Sequence, residues 1–399
     1  MVMQGCTQEW ATASNKQPLE LSETKMIKME DLIVKKLKIG IIGCGNISSI
    51  YMENCPKFPH LELVACADLD EKRAQAQAGK FGIPKACSVE ELLSDPGIEL
   101  VINLTIPKAH ASVSLQALEA GKHVYSEKPL AITREEGKQM LEAAKRKNLL
   151  VGSAPDTFLG AGIQTAIHLI EQGEIGVPVG ASAFMICSGH EHWHPDPAFY
   201  YDIGGGPMFD MGPYYLTALV ALLGPIKRIS GSARISYPER TVRSKPKEGT
   251  KIVVSTPTHL SGVMDFASGV IGTITTSFDA FGGTSLPPIE IYGSQGTILV
   301  PDPNTFGGPV RIRKSDEKEF SEVPLSYGFA QNSRGLGVSD MAKAILEGGN
   351  YRANGELAYH VLEAMHGLLE SSEKGTHYIM ESTCARPESE SKVLQFAKE

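Results

Sequence analysis

Three stretches of this chain hold residue types that can do chemistry. The first is Gly121-Lys122-His123-Val124-Tyr125-Ser126-Glu127-Lys128-Pro129-Leu130. A short β-branched and aromatic run ends there at a charged pair followed by proline. Pro129 has no N–H to extend a ladder and steers Lys128 away from helical geometry, so Lys128 sits on a stiff corner. An ammonium on such a corner can hydrogen-bond a reacting oxygen and stabilise the charge that develops on it. A surface lysine in a turn is the plain alternative. The second stretch runs from Gly204 to Thr217 and carries Asp210 and Tyr214. Four residues apart, they share one helix face and can address a single substrate. A helix start with a buried tyrosine is the alternative. The third is Gly189-His190-Glu191-His192-Trp193-His194, with Tyr200 close behind. Three alternate histidines suit a zinc or manganese ion, or else a sugar met by ring stacking and hydroxyl hydrogen bonds. The loop offers no helical scaffold for ligands, so it is read as a substrate loop without metal.

Such groups need a frame. Residues 37–42 form a nearly uncharged strand that runs into Gly43-Cys44-Gly45-Asn46-Ile47-Ser48, a dinucleotide-binding fingerprint with Ser48 in the third glycine position. Gly43 allows the tight turn, Gly45 admits a pyrophosphate to the backbone, and Asn46 and Ile47 open a helix whose free N–H groups face phosphate. A second strand, 61–67, ends at Asp68, 25 residues after Gly43. Asp68 suits the adenosine ribose hydroxyls, or else caps the helix that follows. An acid there repels a 2′-phosphate and favours NAD; Arg73 keeps NADP open. Helices over 70–81, 88–94, 111–120 and 133–147 then alternate with strands at 100–104, 123–125 and 149–152. Thr133 and Glu136 make a capping box. That alternation defines a doubly wound parallel sheet of Rossmann type. Its carboxyl edge is where ligands bind, and that edge holds Thr105, Pro107, His110, Glu127 and Lys128. For His110, a structural role and a nicotinamide contact are both open.

Beyond Gly152 the pattern changes. A link at 154–158 leads to a helix over 160–172. Strands follow at 177–186, 227–236, 251–255, 260–266, 270–278, 289–292 and 296–300, with no helices between the later ones. This describes an α+β unit with a large, mostly antiparallel open sheet. Helices return over 339–347 and 355–373; His360 and His366 on the latter read as structural.

Bulk properties fit a globular protein of more than one core: 399 residues, 42% hydrophobic and 21% charged. A formal net charge of -8 argues against nucleic acid or an anionic membrane as main partner. Seven singly spaced cysteines, with no CxxC pair, read as free thiols in a reducing cytoplasm. Residues 1–35 read as a flexible polar leader, with Met26 and Met29 as alternative starts, and 386–399 as a polar tail.

The fingerprint GCGNIS, the acid Asp68, the segment TIPKAH at 105–110 and above all SEKPL at 126–130 resemble the Gfo/Idh/MocA oxidoreductases, over about residues 36–385. The resemblance implies a catalytic Lys128 with a cis Lys128–Pro129 bond, a cofactor domain over 36–153 and a substrate and oligomerisation domain over 154–385. It also implies a homodimer or homotetramer. The family expects a histidine four residues after the aspartate; Tyr214 stands there, which leaves the base to Tyr214 or to a histidine of the 190–194 loop. The implied activity is an NAD(P)-dependent dehydrogenase of a sugar, glycoside or cyclitol secondary hydroxyl. The alternative is a redox-neutral glycosidase or lyase that oxidises its sugar transiently.

Overall fold

The computed structural model describes residues 35–390, so the leader up to residue 34, with Cys6, Met26 and Met29, and the last residues of the tail lie outside the described residues. Six strands form one parallel sheet: β1 (Leu37–Ile42), β2 (Leu61–Ala67), β3 (Lys85–Cys87), β4 (Leu100–Asn103), β5 (His123–Ser126) and β6 (Val151–Ser153). Their order is β3-β2-β1-β4-β5-β6, that of a doubly wound dinucleotide-binding sheet. β1 and β4 are almost wholly buried, which is why their sequences read as apolar runs rather than alternations. Helices α1 (Ser48–Asn54), α2 (Glu71–Phe81), α3 (Val89–Ser94), α4 (Pro107–Glu119) and α5 (Arg134–Lys147) connect the strands. α2 is capped by Asp70, whose carboxylate accepts from the N–H groups of Lys72 and Arg73, so Asp68 is free of the capping role. The capping box at the start of α5 is present as expected.

α6 (Ala161–Glu171) and β7 (Pro178–Ile186) open the second half, followed by α7 (Gly206–Leu223) and β8 (Ile226–Arg234). β9 (Glu239–Thr241) and β10 (Lys251–Val253) pair with each other in a separate two-stranded sheet. β11 (His259–Phe266), β12 (Ile271–Ser277), β13 (Ile289–Gly293), β14 (Gly296–Val300), β15 (Val310–Lys314) and β16 (Ser321–Val323) follow. Then come α8 (Leu336–Glu347), α9 (Gly355–Lys374) and β17 (Tyr378–Ile379). The large sheet has nine strands, ordered β16-β15-β14-β13-β7-β12-β11-β8-β17. It is mostly antiparallel as expected, but β12 lies parallel to β7 because the chain returns to β7 only after the β11 hairpin. β3, β9, β15, β16 and β17 were not legible in the sequence; all but the five-residue β15 are two or three residues long, and none is an apolar run.

α7 is almost entirely buried, packed against α9, β7 and β12, and carries Pro213 in its interior. Glycines at 204 and 206 take positive φ, +84° and +76°, and Pro207 occupies its first turn. This helix delivers Asp210 and Tyr214. Residues 386–390, expected to begin a polar tail, are instead fastened to the body: Arg386 donates to the Ala221 carbonyl at 2.8 Å, and Glu390 N–H to Gln164 Oε1 at 2.9 Å. All six described cysteines are free thiols. Among the described residues no helix is long and apolar enough to cross a membrane.

Candidate active site

The site lies where the parallel sheet ends. β1 delivers the fingerprint and β5 the Glu127-Lys128-Pro129 corner; β4 lies between, so the two are separated by two strand spacings, about 10 Å. Gly43 has φ +101°, and a Cβ there would stand 2.6 Å from the Leu104 carbonyl group, so only glycine lets β1 turn against β4. A Cβ at Gly45 would meet nothing within 4 Å. That open space beside the backbone is what a pyrophosphate needs. Ser48 is buried and donates to the Gly45 carbonyl at 2.7 Å, which closes the loop under the half-buried start of α1. Asn46 is exposed and Ile47 half-buried at the same edge. Gly43→Ala is expected to destabilise the fold, whereas Gly45→Val is expected to leave the melting temperature within about 2 °C and to abolish NAD binding. Calorimetric titration of both variants with NAD checks the pair.

Asp68 hangs at the end of β2. Oδ2 accepts from the Cys44 N–H at 2.7 Å; Oδ1 accepts from Asp70 N–H at 2.9 Å and lies 3.4 Å from Arg73 Nη1. A carboxylate has about four lone-pair sites, so it retains capacity for ribose hydroxyls. Leu69, 98% exposed beside it, offers an apolar wall of the kind an adenine covers; sequence reasoning passed over it, for a lone leucine carries no motif. The open Gly45 face and the Asp68 carboxylate fit an NAD dinucleotide.

The TIPKAH segment is held by hydrogen bonds within the corner of the sheet edge. His110 is buried, with Nδ1 2.7 Å from the Pro129 carbonyl oxygen and Nε2 3.1 Å from that of Thr105. A neutral ring donates to one of the two, and burial holds the imidazole below its ordinary pKa against the pull of both carbonyls. His110 thus has a structural role, its ring placed between the loop after β4 and the Pro129 corner. Thr105 is itself fixed, its hydroxyl and N–H donating to Asn103 Oδ1, and Pro107 opens α4. The Glu127 side chain is likewise turned inward. It accepts from Tyr51 Oη at 2.9 Å and from Lys128 N–H at 2.9 Å, and so fixes the corner. The Lys128–Pro129 peptide is cis.

Lys128 crosses to α7. Its Nζ donates to the Asp210 carbonyl at 2.6 Å and to Asp210 Oδ1 at 3.0 Å, and stands 5.0 Å from the centre of the Tyr214 ring. Burial alone would pull the ammonium down; Asp210, with Tyr214 and Glu127, outweighs it and holds Lys128 above its ordinary value. Burial would likewise push Asp210 up, but Lys128 and His190 bring its carboxyl down to about 2. The other Asp210 oxygen, Oδ2, lies 3.1 Å from His190 Nε2. Three separate stretches thus meet in one group: Lys128, Asp210 and His190.

The histidines of the loop do not converge. His190 joins Asp210, His194 Nδ1 accepts from Asp196 N–H at 3.1 Å, and His192 is exposed. Among the described residues no three His, Cys, Asp or Glu side chains are placed to share an ion. Aromatic rings surround His190: Tyr200 at 4.1 Å, Phe278 at 4.6 Å and Trp193 at 5.4 Å between centroids. Trp193 is 55% exposed. Tyr214 is buried, with its hydroxyl 3.5 Å from Arg334 Nη2. Arg334, from the loop before α8, and Phe278, from the end of β12, were not anticipated, since neither belongs to a local motif.

A dinucleotide cradle with a lysine–carboxylate–histidine group beside it, on one sheet edge, defines an NAD-dependent oxidoreductase. Family comparison agrees. "Oxidoreductase family, NAD-binding Rossmann fold" matches residues 37–154, and "GFO/IDH/MocA C-terminal domain" matches residues 163–299. The chain belongs to the GFO/IDH/MocA oxidoreductase family. It is 25% identical to levoglucosan dehydrogenase of Pseudarthrobacter phenanthrenivorans, over 86% of this chain and 97% of that one. It is 32% identical to the dTDP-3,4-didehydro-2,6-dideoxy-alpha-D-glucose 3-reductase of Saccharopolyspora spinosa, over 78% and 92% of the two chains. The solved levoglucosan dehydrogenase complex with NADH and levoglucosan shares the fold, with a TM-score of 0.74 at 23% identity, covering 87% of this chain and all of that one (100%).

Proposed function

We propose that this protein is an NAD-dependent dehydrogenase that interconverts a secondary hydroxyl of a sugar, glycoside or cyclitol and the matching ketone. The observation that carries the reading is the Lys128–Asp210–His190 group on the edge where the dinucleotide fingerprint ends. A bound nicotinamide supplies the hydride acceptor. The chain supplies the rest. The Lys128 ammonium hydrogen-bonds the reacting oxygen and stabilises it as alkoxide character grows. Asp210 accepts the Nε2–H of His190, which selects the tautomer with a basic Nδ1; that nitrogen takes the hydroxyl proton. Tyr214, with its ring below Lys128, packs against the lysine and lines the site, so the base passes from the helix position to the loop. Trp193 and Tyr200 stack on the ring face of the substrate. Relatives support the substrate class: one is a levoglucosan dehydrogenase and another a myo-inositol 2-dehydrogenase. The chain divides functionally into a cofactor domain, 36–153, and a substrate domain, 154–385. The outer face of the large sheet, with Val263 and Ile271 among threonines and serines, supports assembly into a homo-oligomer.

The test is absorbance at the reduced-nicotinamide band, with NAD and then NADP, across anhydrosugars, glycosides, free sugars and inositols. Sustained NADH formation is expected with NAD. Consumption of a glycoside without net NADH would replace the reading with the redox-neutral one. Asp68→Ser is expected to shift the NAD over NADP preference by tenfold or more towards NADP, about 1.4 kcal/mol, because a repelling charge is lost while Arg73 remains. Specificity constants for both cofactors check this.

A further inference from the structure

We propose that Tyr201, Glu191 and Arg240 form a positioning unit that sets His190 for proton transfer, with Tyr201 as its link to the histidine. The inference rests on the base assignment made above and extends it to residues outside the catalytic group.

The main chain around His190 is held on both sides. His190 N–H donates to Tyr201 Oη at 3.2 Å. Tyr201 has a single hydroxyl proton and gives it to Glu191 Oε2, so its lone pair is what His190 meets. Glu191 Oε1 accepts from Arg240 Nε at 2.6 Å. The guanidinium then spends Nη1 on Asp279 Oδ1 at 3.0 Å, and Nη2 on the carbonyls of Ser188 at 3.0 Å and Phe278 at 2.8 Å. The Glu191 carbonyl accepts in turn from the N–H groups of Arg243 and Ser244, at 2.8 and 3.1 Å. Ser188, His190 and Glu191 are thereby each fixed through a main-chain atom. Gly189 between them has φ +84°, and a Cβ there would collide with Tyr201 Oη, Arg240 and Glu191.

Tyr201, Glu191 and Arg240 are all buried. Burying a carboxylate and a guanidinium carries a desolvation cost that apolar side chains of the same volume would not. Such a network is retained where it fixes a geometry. The geometry it fixes here is the peptide from which the His190 ring reaches Asp210. Phe278, whose carbonyl the guanidinium holds, also packs its ring 4.6 Å from that of His190. Main chain and ring are therefore set by one cluster. A proton transfer needs its acceptor placed to within about 1 Å, and a misplacement of that size costs up to about a hundredfold in rate.

The test compares Tyr201→Phe with Tyr351→Phe, a matched loss of one buried hydroxyl, since Tyr351 donates to the Val151 carbonyl away from the site. Histidine-labelled protein gives the first readout. The parent is expected to show a fixed Nε2–H imidazole for His190, assigned by its loss in His190→Gln. Tyr201→Phe is expected to replace it with exchanging tautomers; Tyr351→Phe leaves it in place. Turnover, with whichever polyol of the panel above reduces NAD, gives the second. Tyr201→Phe is expected to lower kcat by about ten- to a hundredfold with KM for NAD within about twofold, and to raise the isotope effect for a deuterated carbinol as chemistry becomes limiting. Glu191→Gln repeats the kcat loss without removing the side chain. If Tyr201→Phe keeps both the fixed tautomer and kcat within about twofold, while His190→Gln is inactive, the positioning unit is wrong and the base assignment stands. If His190→Gln turns over normally, the base assignment falls and the unit's catalytic role falls with it.

Discussion

Lys128→Met is expected to lower kcat by about 10²–10³-fold, the scale of losing one donor to a developing oxyanion, and to leave NAD affinity within a few-fold. The asymmetry follows from placement. Lys128 points across to α7, at Asp210 and Tyr214, whereas the cradle for the cofactor is made at β1 and β2 by Gly45 and Asp68. Methionine fills a similar volume, so the corner held by His110 and Glu127 keeps its shape. Asp210 loses one of its two charged or polar partners but keeps His190. Titration of the variant with NADH, read by fluorescence, separates binding from chemistry. A kcat within threefold of the parent, with binding intact, would remove Lys128 from the mechanism.

Asp210→Asn is expected to lower kcat by about a hundredfold and to introduce an alkaline limb in its pH profile that the parent lacks. In the parent, burial would depress the Lys128 ammonium, and Asp210 is the chief charge that offsets it. Without that charge, burial acts with less opposition and the lysine's folded value falls. The ammonium is then lost as pH rises through the lowered value, and with it the hydrogen bond to the reacting oxygen. Acid stability changes as well. The Asp210 carboxyl titrates at about 2 when folded, against about 3.9 unfolded. Its contribution to stability is present above the unfolded value and is lost as pH falls towards the folded one. The asparagine variant should therefore lose less stability than the parent over that interval. Profiles of kcat against pH and acid-unfolding curves for both proteins are the measurements; parallel kcat profiles would show that Asp210 does not govern the lysine.

The parts of the fold that were legible in the sequence are those with local causes. A glycine pair after an apolar strand, the Thr133–Glu136 box and the alternation of apolar strands with helices each act over a few residues. The strand order, and the placing of Lys128 near the fingerprint, follow from the general rules of such sheets. What stayed hidden depends on distance along the chain. Arg240 lies 49 residues from the Glu191 it holds, and Arg334 lies 120 from Tyr214; nothing near either residue signals the contact. His110 shows the limit from the other side. Its sequence leaves a structural role and a nicotinamide contact open, and where the Pro129 carbonyl points towards it is decided only in the folded corner. The loop histidines were three equivalent candidates in sequence; Asp210 chooses His190 among them.

Pro213 in α7 has a consequence for how the site tolerates change. A proline inside a helix offers no N–H to the carbonyl four residues back, here that of Phe209. The next carbonyl along, that of Asp210, is the one that accepts from Lys128 Nζ at 2.6 Å. The lysine is thus oriented by an oxygen that belongs to the main chain and is present whatever side chain stands at 210. Mutation at that position can change the charge around the ammonium without setting it adrift. Aim and charge are inherited separately, the first from the main chain of α7 and the second from the carboxylate, so either can drift over generations while the other is kept.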